Sequence, residues 1–219
     1  MSRDPQYKAS HRTPFHAPQG EAVLRQIEEH WQLTRGAQTV PYRSDLTNFG
    51  LGDALSHSFT LERVTPSVAR FRVAGQALHD HLRMEPRGMP ISAMFTPQGR
   101  QMLAPLIFDV CETPCIVEVS LMTPKRFAAP SLRARLLMMP VRTGDADEIN
   151  TIFGALVVDG KGSSRTMRFD FDPDGVLRSE QLRPKIRTIH EVAEPVVEDV
   201  VPSRVVTPFP ALRLVVDNT

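Results

Sequence analysis

Between Glu21 and Asp159 the spacing of apolar residues runs from a period of 3.6 to a period of two, back to 3.6, and back to two. A chain with that pattern is neither all helix nor all strand. In the first segment, Val23, Leu24, Ile27 and Trp31 fall within about a 100° arc of a helix, while Arg25, Glu28, Glu29 and Gln32 point away. Gly36 is a natural C-terminal stop for that helix, and Pro41, Gly50 and Gly52 punctuate an irregular stretch after it. Phe59 and Leu61 then alternate with Thr60 and Glu62, Thr65 to Ser67 form a turn, and Ala69, Phe71 and Val73 alternate with Arg70 and Arg72, which predicts a hairpin. Gly75 to Pro97 suits short helices. Thr96 and Pro97 are a good cap and first-turn pair for a longer helix that buries Met102, Leu103, Leu106, Ile107 and Val110, with Pro105 expected to kink it and Pro114 to end it.

Three more strands are expected. Cys115, Val117, Val119 and Leu121 form the first, Leu132, Ala134, Leu136 and Met138 the second, and Thr151 to Asp159 the third. Exposed charges on alternate positions predict cross-strand ion pairs, Glu62 with Arg70 or Arg72 and Glu118 with Arg133 or Arg135, each worth about 0.2 to 1 kcal/mol. The chain therefore reads as an α+β domain over 21–160. A Pro-containing extension precedes it at 1–20, a basic extension follows at 161–190, and a Val- and Pro-rich tail closes at 191–219. The tail combines nine valines with four prolines and five acidic residues, a mixture that suits either a partner or the chain's own surface.

Composition narrows the function. Lys and Arg number 26 against 25 Asp and Glu, a balance that argues against a dominant attraction to nucleic acid or to an anionic membrane. The stretch Lys161 to Arg187 is locally basic around Phe169 and Phe171, yet it carries no recognised nucleic-acid signature. No run reaches the roughly 18 apolar residues of a spanning helix, and MSRDPQYKAS lacks the apolar core of a signal peptide, so a cytoplasmic protein without membrane insertion is expected. Two cysteines cannot make a disulfide framework, and the three-residue gap between Cys111 and Cys115 departs from a CxxC redox pair, so core packing is the ordinary reading.

Other chemistry is weakly signalled. His79, Asp80 and His81 carry metal-ligating groups, but neighbours two apart on a helix do not share a face. Asp170, Asp172, Asp174 and Gly175 match only the first half of a calcium loop, with Gln181 where the bidentate carboxylate belongs, so a DPDG turn is the better reading. There is no GxSxG elbow, Walker loop or GxGxxG fingerprint. No metal, catalytic residue or cofactor is assigned.

The order of elements, helix, two strands, short helices, a longer helix and three strands, is that of a PAS domain. EHWQLTRGAQTVPYRSDL, TLERVTPSVARFRVAGQAL, MEPRGMPISAMFTP and SLRARLLMMPV together resemble a stand-alone bacterial PAS-like family formerly treated as a domain of unknown function, over about residues 21–160. The resemblance implies a five-stranded antiparallel sheet with flanking helices and a ligand cavity between sheet and helices, lined by Phe71, Val73, Met94, Phe95, Leu106, Val117, Leu136 and Met138. It leaves the ligand open, haem included. It implies a sensory or regulatory module, not an enzyme, that binds a small molecule, a signalling protein, or both. A ligand-free adaptor is the alternative, and a small-molecule enzyme without a linear motif is third. No kinase, cyclase or DNA-binding output is expected in the remaining sequence. A homodimer through Leu24, Ile27 and Trp31 is expected, because PAS-like domains associate through helices flanking the sheet; the competing reading has that stripe cover its own sheet.

Overall fold

The computed structural model describes residues 18–125, 131–144, 148–160 and 166–184 of the 219. The expectations for the tail at 191–219, and for nearly all of 1–20, concern segments outside these residues. Helix α1 (Pro18–Arg35) is followed by a 3-10 turn (Gly52–His57), strands β1 (Ser58–Thr65) and β2 (Val68–Ala74), helix α2 (Gln76–Leu82), and a second 3-10 turn (Ile91–Met94). Helix α3 (Pro97–Glu112) and strands β3 (Cys115–Met122), β4 (Arg133–Val141), β5 (Thr151–Val158) and β6 (Asp170–Gln181) complete it. All six strands join one sheet in the order β2-β1-β5-β4-β3-β6, every pair antiparallel.

The sheet thus has six strands where five were expected. The sixth comes from the segment read as a basic extension and a DPDG turn. The DPDG residues do bend, since Val119 and Leu121 of β3 face Val176 and Phe171 of β6, which leaves Asp172 to Gly175 as an irregularity inside the strand. Gly175 takes the left-handed conformation there (φ 51°), which a Cβ would strain. The strand continues beyond it because Arg178 and Gln181 still find register with Glu118 and Cys115.

Local signals were obeyed at both long helices. Gly36 follows α1 with φ 54°, the left-handed stop. The Thr96 hydroxyl accepts the Gly99 N–H at 3.2 Å, and α3 runs on through Pro105 to Glu112. Leu103, Ile107 and Val110 are buried as expected and Leu106 is half-buried, but Met102 is 44% exposed because it lies at the edge of the apolar arc.

Each face of the sheet has its own core. On the inner face α2, α3 and the second 3-10 turn cover Phe59, Leu61, Phe71, Val117, Leu136 and their neighbours. On the outer face Leu24, Ile27 and Trp31 of α1 pack on Ile116, Leu137, Met139, Val141, Phe153 and Val157. β4 and β5 are therefore buried on both sides, which explains their nearly unbroken apolar runs LLMMPV and TIFGALVV. The Trp31 indole N–H donates to the Pro140 carbonyl at 3.0 Å and so ties α1 to β4. The expected homodimer stripe is thus turned onto the chain's own sheet, and an intermolecular contact through it would first require α1 to leave.

Acidic residues on the flank of α1 extend that attachment. Arg135 of β4 lies 3.2 Å from Glu21 and 3.3 Å from Glu118, and Arg178 of β6 bonds Glu28 at 3.0 Å and stands 4.0 Å from Glu118. Hydrogen bonding to Glu28 is the main reason the Arg178 guanidinium is pushed up in pKa, burial opposing it. The expected pair of Glu118 with Arg135 forms across β3 and β4, and Glu62 pairs with Arg72 across the first hairpin.

Candidate functional site

The residues expected to line a ligand cavity divide between the two faces of the sheet. Phe71, Met94, Phe95, Val117, Leu136 and Met138 do meet between sheet and helices, and Leu106 packs against them from α3. All of them but Leu106 are buried there. The Phe59 and Phe71 rings meet edge to face at 5.7 Å, and Phe95 stacks on Phe171 at 5.8 Å, geometries typical of aromatic core packing.

Val73 stands on the other face, 57% exposed. Strict alternation puts it beside Phe71, but Leu61 pairs with Phe71 and Thr60 with Val73, so Arg72 is an extra residue in β2. That bulge inverts the parity of the strand's last residues. Phe71 points inward and Val73 outward.

Val73 contributes to an open trough on the outer face, beyond the part of the sheet that α1 covers. Its larger part, about 600 Å³, has Phe153, Thr60 and Val73 on its floor and Asp53, Ser56 and Gln76 on its rim. A smaller part of about 210 Å³ shares Asn48, Thr60, Val73 and Phe153 and is bounded by Arg43 and Thr151. The wall is the irregular stretch from Arg43 to Leu51, continued by the first 3-10 turn. That turn can approach the end of β2 only because Gly75 has no side chain: a Cβ there would lie 2.3 Å from the Ser56 carbonyl oxygen. The Gly75 N–H donates to the Ser58 carbonyl at 2.8 Å and closes the corner.

The remaining candidates sit away from the trough. Cys111 and Cys115 are both buried in the inner core. Burial pushes the Cys111 thiol up to about 11, and burial likewise raises Cys115, so both are thiols at neutral pH and neither is an activated nucleophile. Asp80 is exposed and accepts from the Gln76 amide at 3.1 Å, His79 stands 3.6 Å from Glu85, and His81 is buried, so the three diverge. The Asp170 carboxylate accepts from the Thr96 hydroxyl, which ties β6 to the start of α3. Among the described residues no three His, Cys, Asp or Glu side chains are placed to hold a metal ion, and no helix is long and apolar enough to cross a membrane.

His81 has a consequence for stability. Burial, followed by the nearby His57, holds its imidazole below the ordinary value of about 6.5, with Asp80 opposing and Arg83 adding. The unfolded chain therefore binds a proton that the folded chain resists, and stability is greatest above about pH 6.5 and falls as pH drops toward the folded-state value. Urea midpoints at about pH 7.5 and 5.5 should show the fall, and His81→Gln should reduce it. An equal fall in the variant would place the effect on other groups.

An antiparallel sheet with helices across one face and a single helix across the other defines a PAS-like α+β domain. A PAS domain family model matches residues 20–157, well over half of the chain, and the chain belongs to that family. PAS domains are in general sensory or regulatory modules, not enzymes. No curated protein and no solved structure matches the chain significantly.

The trough escaped the sequence reading for two reasons. Its wall has no periodicity, and its floor depends on the Arg72 bulge. Only Gly50, Gly52 and Gly75 mark its turns in the sequence.

Proposed function

We propose that this PAS domain is a sensory or regulatory module in signal transduction, that its small-molecule site is the outer trough, and that occupancy biases a two-state arrangement read by a protein partner. The observation that carries this reading is the contrast between the two faces. The residues expected to line an inner cavity are, Val73 and Leu106 apart, buried in the inner core with close ring contacts, whereas the larger part of the trough is open and falls in the 300–1,000 Å³ range of small-molecule sites, with polar groups over an apolar floor. The ligand-free adaptor is the second reading, and the close ring packing of the inner core favours it. A homodimer remains part of the proposal only through surfaces other than Leu24, Ile27 and Trp31.

Native mass spectrometry of the chain purified from its own host tests the proposal, alongside Val73→Trp and Leu136→Phe variants. A bound small molecule lost in Val73→Trp and kept in Leu136→Phe is the expected result. A molecule lost only in Leu136→Phe would return the site to the interior. An empty chain that co-purifies stoichiometrically with a protein would favour the adaptor.

Leu136→Phe also has an expected effect of its own. In a filled core the added ring volume should cost about 1–2 kcal/mol by urea unfolding. A neutral substitution would reveal spare volume beside Leu136.

A further inference from the structure

Two formal charges border the trough, and they lie toward opposite ends of it. Asp53 lines the larger part and Arg43 the smaller, while Asn48, Thr60, Val73 and Phe153 belong to both. Both charged side chains are exposed, and neither makes an ion pair among the described residues. That sets them apart from Arg63, Arg72, Arg135 and Arg178, each of which has a carboxylate partner. The trough follows β1 from Ser58, beside the larger part, to the level of Thr151, which pairs with Glu62 beside the smaller part. Four residues of strand span about 13 Å.

A ligand matched to this site carries a positive group at one end, a negative group on the order of 10 Å away by the scale of that strand span, amide-like hydrogen-bonding groups between, and at least one apolar side group. A free amino acid fails the first condition, since its two charges are separated by one carbon. An extended peptide of three residues meets them all, at about 3.3 Å per residue. Its backbone would lie beside the Asn48 amide and the Thr60 and Ser56 hydroxyls, and an apolar side chain would rest on Phe153 and Val73. We infer that the outer trough binds a short unmodified peptide, with its ammonium group at Asp53 and its carboxylate at Arg43. This rests on the trough being the ligand site of the module.

The test titrates the full chain with the tripeptide Ala-Leu-Ala and with its N-acetylated and C-amidated forms, followed by amide chemical shifts. The free tripeptide should bind saturably and move the signals of Asn48, Thr60 and Val73. Each blocked form should bind about fivefold more weakly, the scale of one exposed ion pair. Asp53→Asn should abolish discrimination against the acetylated form while leaving discrimination against the amidated form, and Arg43→Gln should do the reverse. Both substitutions are at exposed positions and leave the core intact. Saturable binding with equal affinity for all three forms would overturn the inference, as would discrimination that survives Asp53→Asn and Arg43→Gln. Absence of saturation up to about 10 mM would overturn it too. If the tripeptide fails while Val73→Trp still expels a host-derived molecule, the peptide assignment falls and the trough as ligand site stands.

Discussion

Trp31→Ala is expected to destabilise the domain by about 3–5 kcal/mol. The ring is completely buried between α1 and the outer face of the sheet, its N–H is spent on the Pro140 carbonyl, and the Arg35 guanidinium lies 5.4 Å over it. Removing it empties the centre of the contact that holds α1, and at ordinary domain stabilities of about 5–15 kcal/mol that is a large share. Trp31→Phe separates the two contributions. It keeps most of the apolar volume and loses the hydrogen bond, so a loss nearer about 1–2 kcal/mol is expected. Urea unfolding followed by far-ultraviolet circular dichroism is the appropriate measurement, because Trp31 is the only tryptophan. A loss below about 1 kcal/mol in Trp31→Ala would mean that α1 is an attachment to the domain and not part of its core.

Gly154→Ala should cost about 3 kcal/mol or more, although the change is one methyl group. Gly154 lies in β5, paired with Phe59 on one side and Met138 on the other. A Cβ would come 2.1 Å from the Leu137 carbonyl oxygen and 2.8 Å from the Phe59 ring. The ring could rotate away, but only by disturbing its edge-to-face contact with Phe71. The carbonyl belongs to the neighbouring strand and cannot move without breaking the sheet ladder. Gly154→Ala combined with Phe59→Leu should therefore fail to recover the stability of Phe59→Leu alone. Full recovery would show that the ring, and not the strand, sets the limit.

Much of this architecture is legible in the sequence wherever one local rule acts alone. The α1 stripe, the Gly36 stop, the Thr96 and Pro97 cap and five of the six strands follow from periodicity and cap chemistry. What was not legible depends on two strands meeting. Nothing in VARFRVA announces that Arg72 is a bulge residue, because a bulge is a property of the pairing of β2 with β1. The sixth strand was hidden for a similar reason: DPDG has turn chemistry, and only its pairing with β3 carries the strand through it. The place of α1 was half legible. The run LLMMPV has no polar alternate positions, and such a strand needs cover on both faces. Leu137 and Met139 were the residues that could have assigned the Trp31 stripe to its own sheet. The candidate site inherits these differences: seven of its eight expected residues belong to the inner core or pack on it, and the eighth, Val73, marks the open face.

A filled interior is the premise of the proposed site, and xenon binding tests it most directly, since xenon enters apolar cavities that water leaves empty. A crystal of the chain under xenon pressure is expected to show no xenon site among Phe71, Met94, Phe95, Leu136 and Met138. A well-occupied xenon atom among those side chains would contradict the account and put the ligand cavity back between sheet and helices.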